Sequence, residues 1–200
     1  MNKIYINALR SCLEELNACK NPRGMEPIIQ RAIARLLNGS RTEVPLREVG
    51  AIGVDDRVLG RLDIVHENHG IELKVVRMPR LESTPSKALY DIGQLTADYW
   101  RLSTATKLTS GELLILVYGS LVTELKSGTA ICRELHNRLF VDFQTSTHYS
   151  ELYEQKTQKH RKRQINCAKI MGVDRPCNRP AWKVQVDGKY ALVSVPVIRS

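Results

Sequence analysis

Apolar positions recur at helical spacing in some stretches of the chain and at strand spacing in others, and the switches between the two mark its elements. Over residues 3–19, Ile6, Leu9, Leu13 and Leu16 fall on one helical face, and Asn21-Pro22-Arg23-Gly24 breaks the run. A second helix is expected from Pro27 to Leu37. Pro27 suits a first helical position, where a missing N–H costs nothing. Ile28, Ile29, Ala32, Ile33, Leu36 and Leu37 form a broad apolar stripe, and Asn38-Gly39 supplies a C-cap. Residues 42–49 read as a strand in which Pro45 marks an edge or a bulge. Gly60 to Glu67 and Gly70 to Arg77 read as two strands joined by a tight turn at Asn68-His69.

A helix is expected from about Pro85 to Leu102, on the stripe Ala88, Leu89, Ile92, Leu95, Tyr99 and Leu102. Leu113 to Tyr118 is a short apolar run of the kind a fully buried strand shows, and residues 121–140 return to a helical pattern. The chain turns polar and basic over 145–180. Trp182 to Val186 and Lys189 to Val197 then alternate about Asp187-Gly188, a hairpin signal. This order predicts an α/β domain: a central, mixed, four-stranded sheet flanked by helices over 1–144, with the basic segment and hairpin as an appendage over 145–200.

The first hairpin carries the candidate chemistry. Residues two apart on a strand point to the same face, which makes Glu72 and Lys74 neighbours. A turn at Asn68-His69 sets Asp63 opposite Lys74 and Val65 opposite Glu72, so that Asp63, Glu72 and Lys74 converge on one face. Leu62, Ile64, Ile71, Leu73 and Val75 take the other, as a core face. Solvated charge on the outer face of an amphipathic hairpin would give the same pattern. Two further residues favour a site. Glu26 lies about 20° from Ile33 on a helical wheel and projects with the buried stripe. Gln94 shares a helix face with Lys87 and Arg101 beside the apolar stripe.

Composition narrows the field. The 42% apolar content is that of a folded chain, and no apolar run approaches the roughly 20 residues that span a bilayer. The N-terminus lacks a signal-peptide pattern. Five scattered cysteines with no Cys-x-x-Cys pair suggest reduced thiols rather than a zinc site, and with them a cytoplasmic, intracellular protein. A net charge of +9 favours a polyanionic partner, nucleic acid above all.

Taken together, a helix bearing Glu26 and Gln30, the acid Asp63 on one strand, Glu72-Leu73-Lys74 on the next and Gln94 on the following helix resemble the PD-(D/E)xK nuclease superfamily of restriction-endonuclease-like fold. The order of motifs is most similar to the virus-type replication-repair nuclease branch. Leu62 stands where the family often has Pro, and the resemblance covers about residues 25–120.

The resemblance implies a Mg²⁺-dependent DNA endonuclease, with Mn²⁺ able to substitute. Asp63, Glu72, Glu26 and the backbone carbonyl of Leu73 are its implied metal ligands, and Lys74 and Gln94 complete the catalytic set. Hard cations take oxygen ligands, position a water and neutralise charge growing on phosphorus, which is why paired carboxylates fit this chemistry. Phosphate contacts are expected from Lys87, Arg101, Lys159, Arg161, Lys162 and Arg163. DNA is the expected partner, with RNA less favoured and a homodimer the arrangement that double-strand cutting would favour. The alternatives are a non-catalytic nucleic-acid-binding module on the same fold and a viral-type RNA endonuclease.

Overall fold

Leu113 to Val117 expose no surface at all and mark the middle of the fold. They lie on β4 (Ser110–Tyr118), an inner strand of a six-stranded sheet in the order β1-β2-β3-β4-β6-β5. The computed structural model describes residues 3–78, 92–145, 157–175 and 182–198. The other strands are β1 (Arg41–Pro45), β2 (Arg61–His66), β3 (His69–Arg77), β5 (Lys183–Asp187) and β6 (Tyr190–Pro196). Only β3 and β4 run parallel, and the remaining neighbours are antiparallel, which makes the open sheet mixed.

The sheet thus has six strands where four were expected. The C-terminal hairpin is the source of the difference, because β6 pairs along β4 from Glu112↔Pro196 to Tyr118↔Tyr190. Its strands alternate as the sequence indicated, yet β6 is buried throughout except at its last residue. An apolar run as uniform as β4 needs a strand on each side and a layer on each face, and β6 supplies the second flank.

Helices cover both faces. One is packed by α1 (Lys3–Ser11) and α3 (Pro22–Leu36), whose Tyr5, Leu9, Ile29 and Ile33 meet Ile64, Ile71, Leu73, Leu114 and Leu116. On the other, α5 (Ile92–Thr104) and α7 (Gly128–Thr145) bring Leu95, Tyr99, Leu102 and Leu135 against Val65, Val76, Leu113 and Ile115. The last helix, α8 (Thr157–Ile170), lies along α5. Short helices α2 (Leu13–Ala18), α4 (Leu46–Val49) and α6 (Ser120–Leu125) fill the turns between longer elements. Among the described residues, no helix is long and apolar enough to cross a membrane.

Several boundaries differ from expectation for identifiable reasons. The first helix divides at Cys12, whose ψ of 10° leaves the helical range. The second begins at Pro22, not Pro27: the preference of proline for a first helical position applies to Pro22, and Pro27 is accommodated inside. Pro45 ends β1, and α4 takes residues 46–49. A helix expected over 121–140 is interrupted where Lys126 adopts a left-handed φ of 51° and caps α6. Residues 85–91 of the expected Pro85–Leu102 helix lie outside the described residues.

Candidate active site

The turn between β2 and β3 is Glu67-Asn68, not Asn68-His69. Glu67 takes a left-handed φ of 52°, and the ladder pairs His66↔His69, Val65↔Gly70 and Ile64↔Ile71. This moves the expected register by two residues. Because side chains alternate with period two, an even shift preserves the faces while changing the partners. Val65 therefore faces Gly70 rather than Glu72. Extended by one rung, this register sets Asp63 against Glu72 instead of Lys74.

That last rung is not formed by the backbone. Asp63 Oδ2 instead accepts the Leu73 N–H at 2.6 Å, so β2 splays from β3 at this point. The alternation of β2 breaks here as well: Ile64 packs toward α1 and α3, whereas Leu62, expected beside it, packs toward α5. Opposite, Glu43 of β1 has a left-handed φ of 54°. Gln30, one turn after Glu26 on α3, fixes the splayed strand by donating to the Asp63 carbonyl at 2.8 Å and to Glu43 Oε1 at 2.9 Å. In an extended strand the N–H and C=O of one residue point the same way. Leu73 therefore turns its carbonyl, the expected fourth ligand, to the edge where Asp63 sits.

Around this opening the structure gathers Glu26, Asp63, Glu72 and Lys74. Lys74 Nζ lies 3.6 Å from Glu26 Oε1 and 3.3 Å from Asp98 Oδ2. Asp98, buried on α5, is a residue the sequence reading passed over. Its other oxygen accepts Arg101 Nη1 at 2.8 Å, and the same nitrogen lies 3.4 Å from Glu72 Oε1. Asp98 stands four residues after Gln94 and three before Arg101, so all three share one face of α5. That spacing was the available signal. Gln94 itself is exposed at the start of α5.

The electrostatics follow from burial and crowding. Glu72 is 1% exposed. Burial drives its carboxyl well above the usual range, the charges of Asp98 and Asp63 add to the rise, and so does its hydrogen bond to Asp63, while Arg101 opposes it. Asp98 is raised by burial, with Lys74 and Arg101 holding it down in part. Glu26 is raised by burial, opposed by Lys74 and pushed further by Asp63 and Asp98. Burial works against the Arg101 charge, but Asp98 and Glu72 outweigh it and strengthen its hold on the proton. Among the described residues, four carboxyls thus share two cations, a formal excess of two negative charges when all are ionised. Among the described residues, no three His, Cys, Asp or Glu side chains are gathered closely enough to chelate an ion as they stand.

The expected phosphate contacts divide. Arg101 is engaged inside the site. Arg163 is tied to Asp56 at 2.6 Å, donates to the Val54 carbonyl and lies 4.8 Å over the Trp100 ring, so it anchors α8. Lys159 also pairs with Asp56, at 2.9 Å. Arg161 and Lys162 are exposed on α8. Lys87 lies outside the described residues. Comparison with known protein families, curated proteins and solved structures finds no match.

Proposed function

We propose that the chain is a divalent-cation-dependent nuclease of PD-(D/E)xK type that hydrolyses phosphodiester bonds in DNA. The observation that carries this reading is the local inversion of charge. A chain of net charge +9 concentrates, among the described residues, four carboxyls against two cations where β2 splays from β3 while staying paired with β1. Surface acids without a function would avoid such crowding, since like charges at this range oppose one another's ionisation.

The donor set fits a hard cation, Mg²⁺ or Mn²⁺, because every candidate ligand is an oxygen. Asp63 and Glu72 would hold it, with Glu26 and the Leu73 carbonyl beside them. When bound, the ion supplies Lewis acidity and a water of lowered pKa. The residues of the chain do the rest. Gln30 fixes Asp63 through its backbone. The Lys74 ammonium stands between Glu26 and Asp98, where it would offset charge growing on a phosphate. Gln94, on the exposed end of the same helix face, would meet substrate, and Arg161 and Lys162 would offer phosphate contacts.

An intracellular setting accords with the thiols. Cys12, Cys19, Cys132 and Cys167 are unpaired, and burial pushes the Cys132 thiol up to about 11 and Cys167 to about 12. Burial thus disfavours the thiolate, the reactive form, at both.

The reading is tested by incubating the protein with plasmid, single-stranded DNA, branched DNA and RNA in Mg²⁺, Mn²⁺ or EDTA. Cleavage of at least one DNA form, abolished by EDTA, is the expected result. Cleavage of RNA alone would point to an RNA endonuclease. A second reading, a nucleic-acid-binding module without catalysis, draws on the fact that Lys74 and Arg101 already stand among the carboxyls. Metal-independent binding with no cleavage of any substrate would establish it instead.

A further inference from the structure

Arg101 holds a peculiar position for a residue expected to touch phosphate. Its Nη1 lies between two carboxylates from different elements, 2.8 Å from Asp98 Oδ1 on its own helix and 3.4 Å from Glu72 Oε1 on β3. Both acids are nearly fully buried, at 3% and 1% exposure, whereas the Arg101 side chain is 32% exposed and has a path outward. The other Asp98 oxygen is buried and accepts no hydrogen bond among the described residues. It lies 3.3 Å from the Lys74 ammonium, as an ion pair. Asp98 thus presents one oxygen bridged by a displaceable guanidinium and one that meets the Lys74 ammonium.

We infer that the Arg101 guanidinium is an exchangeable internal counter-ion. It occupies the cation position between Glu72 and Asp98, where a divalent ion would compete with it, Asp98 would serve as a further carboxylate and Arg101 would be freed toward substrate phosphate. The inference rests on the metal-centre reading above and deepens it. Geometry favours exchange over permanent pairing. The contact with Glu72 is longer than a good charge-assisted hydrogen bond, about 2.7–2.9 Å. A guanidinium is also more weakly hydrated than an ammonium and suits bidentate phosphate binding once freed. Exchange explains why three chelating side chains are not pre-gathered: the guanidinium stands among them.

The test is Mn²⁺ affinity, read as free ion by electron paramagnetic resonance, for the wild type, Arg101→Gln and Arg101→Lys at one pH. Removing a unit charge a few ångströms from a cation site is worth about tenfold or more in affinity. Arg101→Gln is therefore expected to bind Mn²⁺ at least about tenfold more tightly, and Arg101→Lys to stay within a few-fold of wild type. Equal or weaker binding by Arg101→Gln, with wild type binding, overturns the exchange and leaves the metal centre standing. Absence of Mn²⁺ binding in all three removes the metal centre and the exchange with it. A second measurement does not depend on a variant folding. Phenylglyoxal modification of Arg101 in the wild-type chain, followed by peptide mass mapping, is expected to accelerate on adding Mn²⁺. An unchanged or slower rate at saturating Mn²⁺ overturns the release of Arg101.

Discussion

Glu72 and Glu112 lie on adjacent rungs of the same two parallel strands, since Glu72 pairs with Leu113 and Ile71 with Glu112. They point to opposite faces of the sheet and live in opposite electrostatic worlds. For Glu112, burial pushes the carboxyl up, but hydrogen bonds with His69, Ser194 and Tyr5 outweigh it and bring the group below the usual range. Ser194 and Tyr5 are themselves buried, and His69 is held in turn by Ser110 at 2.7 Å. Glu72 is more deeply buried, meets two other acids and, among the described residues, is offset by the Arg101 guanidinium at 3.4 Å. One carboxylate has its donors provided by the fold. The contacts of the other do not offset its burial, and that difference is why Glu72, not Glu112, is proposed as a ligand for an external cation.

The sharpest break between the two regions is in activity. Asp63→Ala and Lys74→Ala are each expected to lose at least about a hundredfold of nuclease activity while remaining folded by circular dichroism. Glu112→Ala should cut DNA normally per folded molecule. If Glu112→Ala alone lost activity, the assignment of roles would be reversed.

Stability runs the other way. Glu112→Ala leaves the buried Ser194 hydroxyl without its acceptor and His69 without the carboxylate beside it, and is expected to cost about 1–3 kcal/mol in denaturant unfolding. Glu72→Gln removes a charge that its neighbours oppose, so its unfolding midpoint should equal or exceed that of wild type without metal. A large loss for Glu72→Gln would show that its ion pair with Arg101 outweighs the repulsion.

The pH dependence separates the regions by sign. Glu26, Glu72 and Asp98 have folded values raised above their unfolded ones. Their contribution is full below the unfolded values, near 4, and is lost as pH rises through the raised ones. The Glu112 value is lowered, so its contribution is present above about 4.5 and is lost as pH falls through the lowered value. Adding Mg²⁺ should therefore raise the melting temperature more at pH 8 than at pH 5 in the wild type, and this pH dependence should persist in Glu112→Ala. The smallest effect is expected at α8. Arg161→Ala with Lys162→Ala should lower the salt slope of DNA binding by roughly two and change stability by less than about 0.5 kcal/mol.

Much of this was legible in the chain. Period-two alternation identified β2, β3 and the final hairpin, and it placed Glu72 and Lys74 on one face even though the turn lies one residue earlier than expected. The faces of β3 survived because the register moved by an even number, whereas Leu62 turned to the other face where β2 splays. Contacts between distant segments were not legible. Nothing in the alternation of β6 says that it pairs with β4 rather than standing apart, since a two-stranded hairpin and a sheet edge share one pattern. Asp98 was hidden for a related reason. A lone acid on an amphipathic helix reads as a solvated charge until the strand beneath it is known to carry Lys74 and Glu72. Arg163 shows the converse: a basic run reads as a phosphate surface, and only the fold reveals Asp56 opposite it.

The most direct measurement of the central claim is the proton count on Mn²⁺ binding, obtained by calorimetry at pH 7 in buffers of different ionisation enthalpy. A carboxyl cluster short of cations should release protons as the ion takes their place, and Glu72→Gln should abolish or sharply reduce both binding and release. Binding without proton release that is unchanged in Glu72→Gln, or no binding at millimolar Mn²⁺, would contradict it.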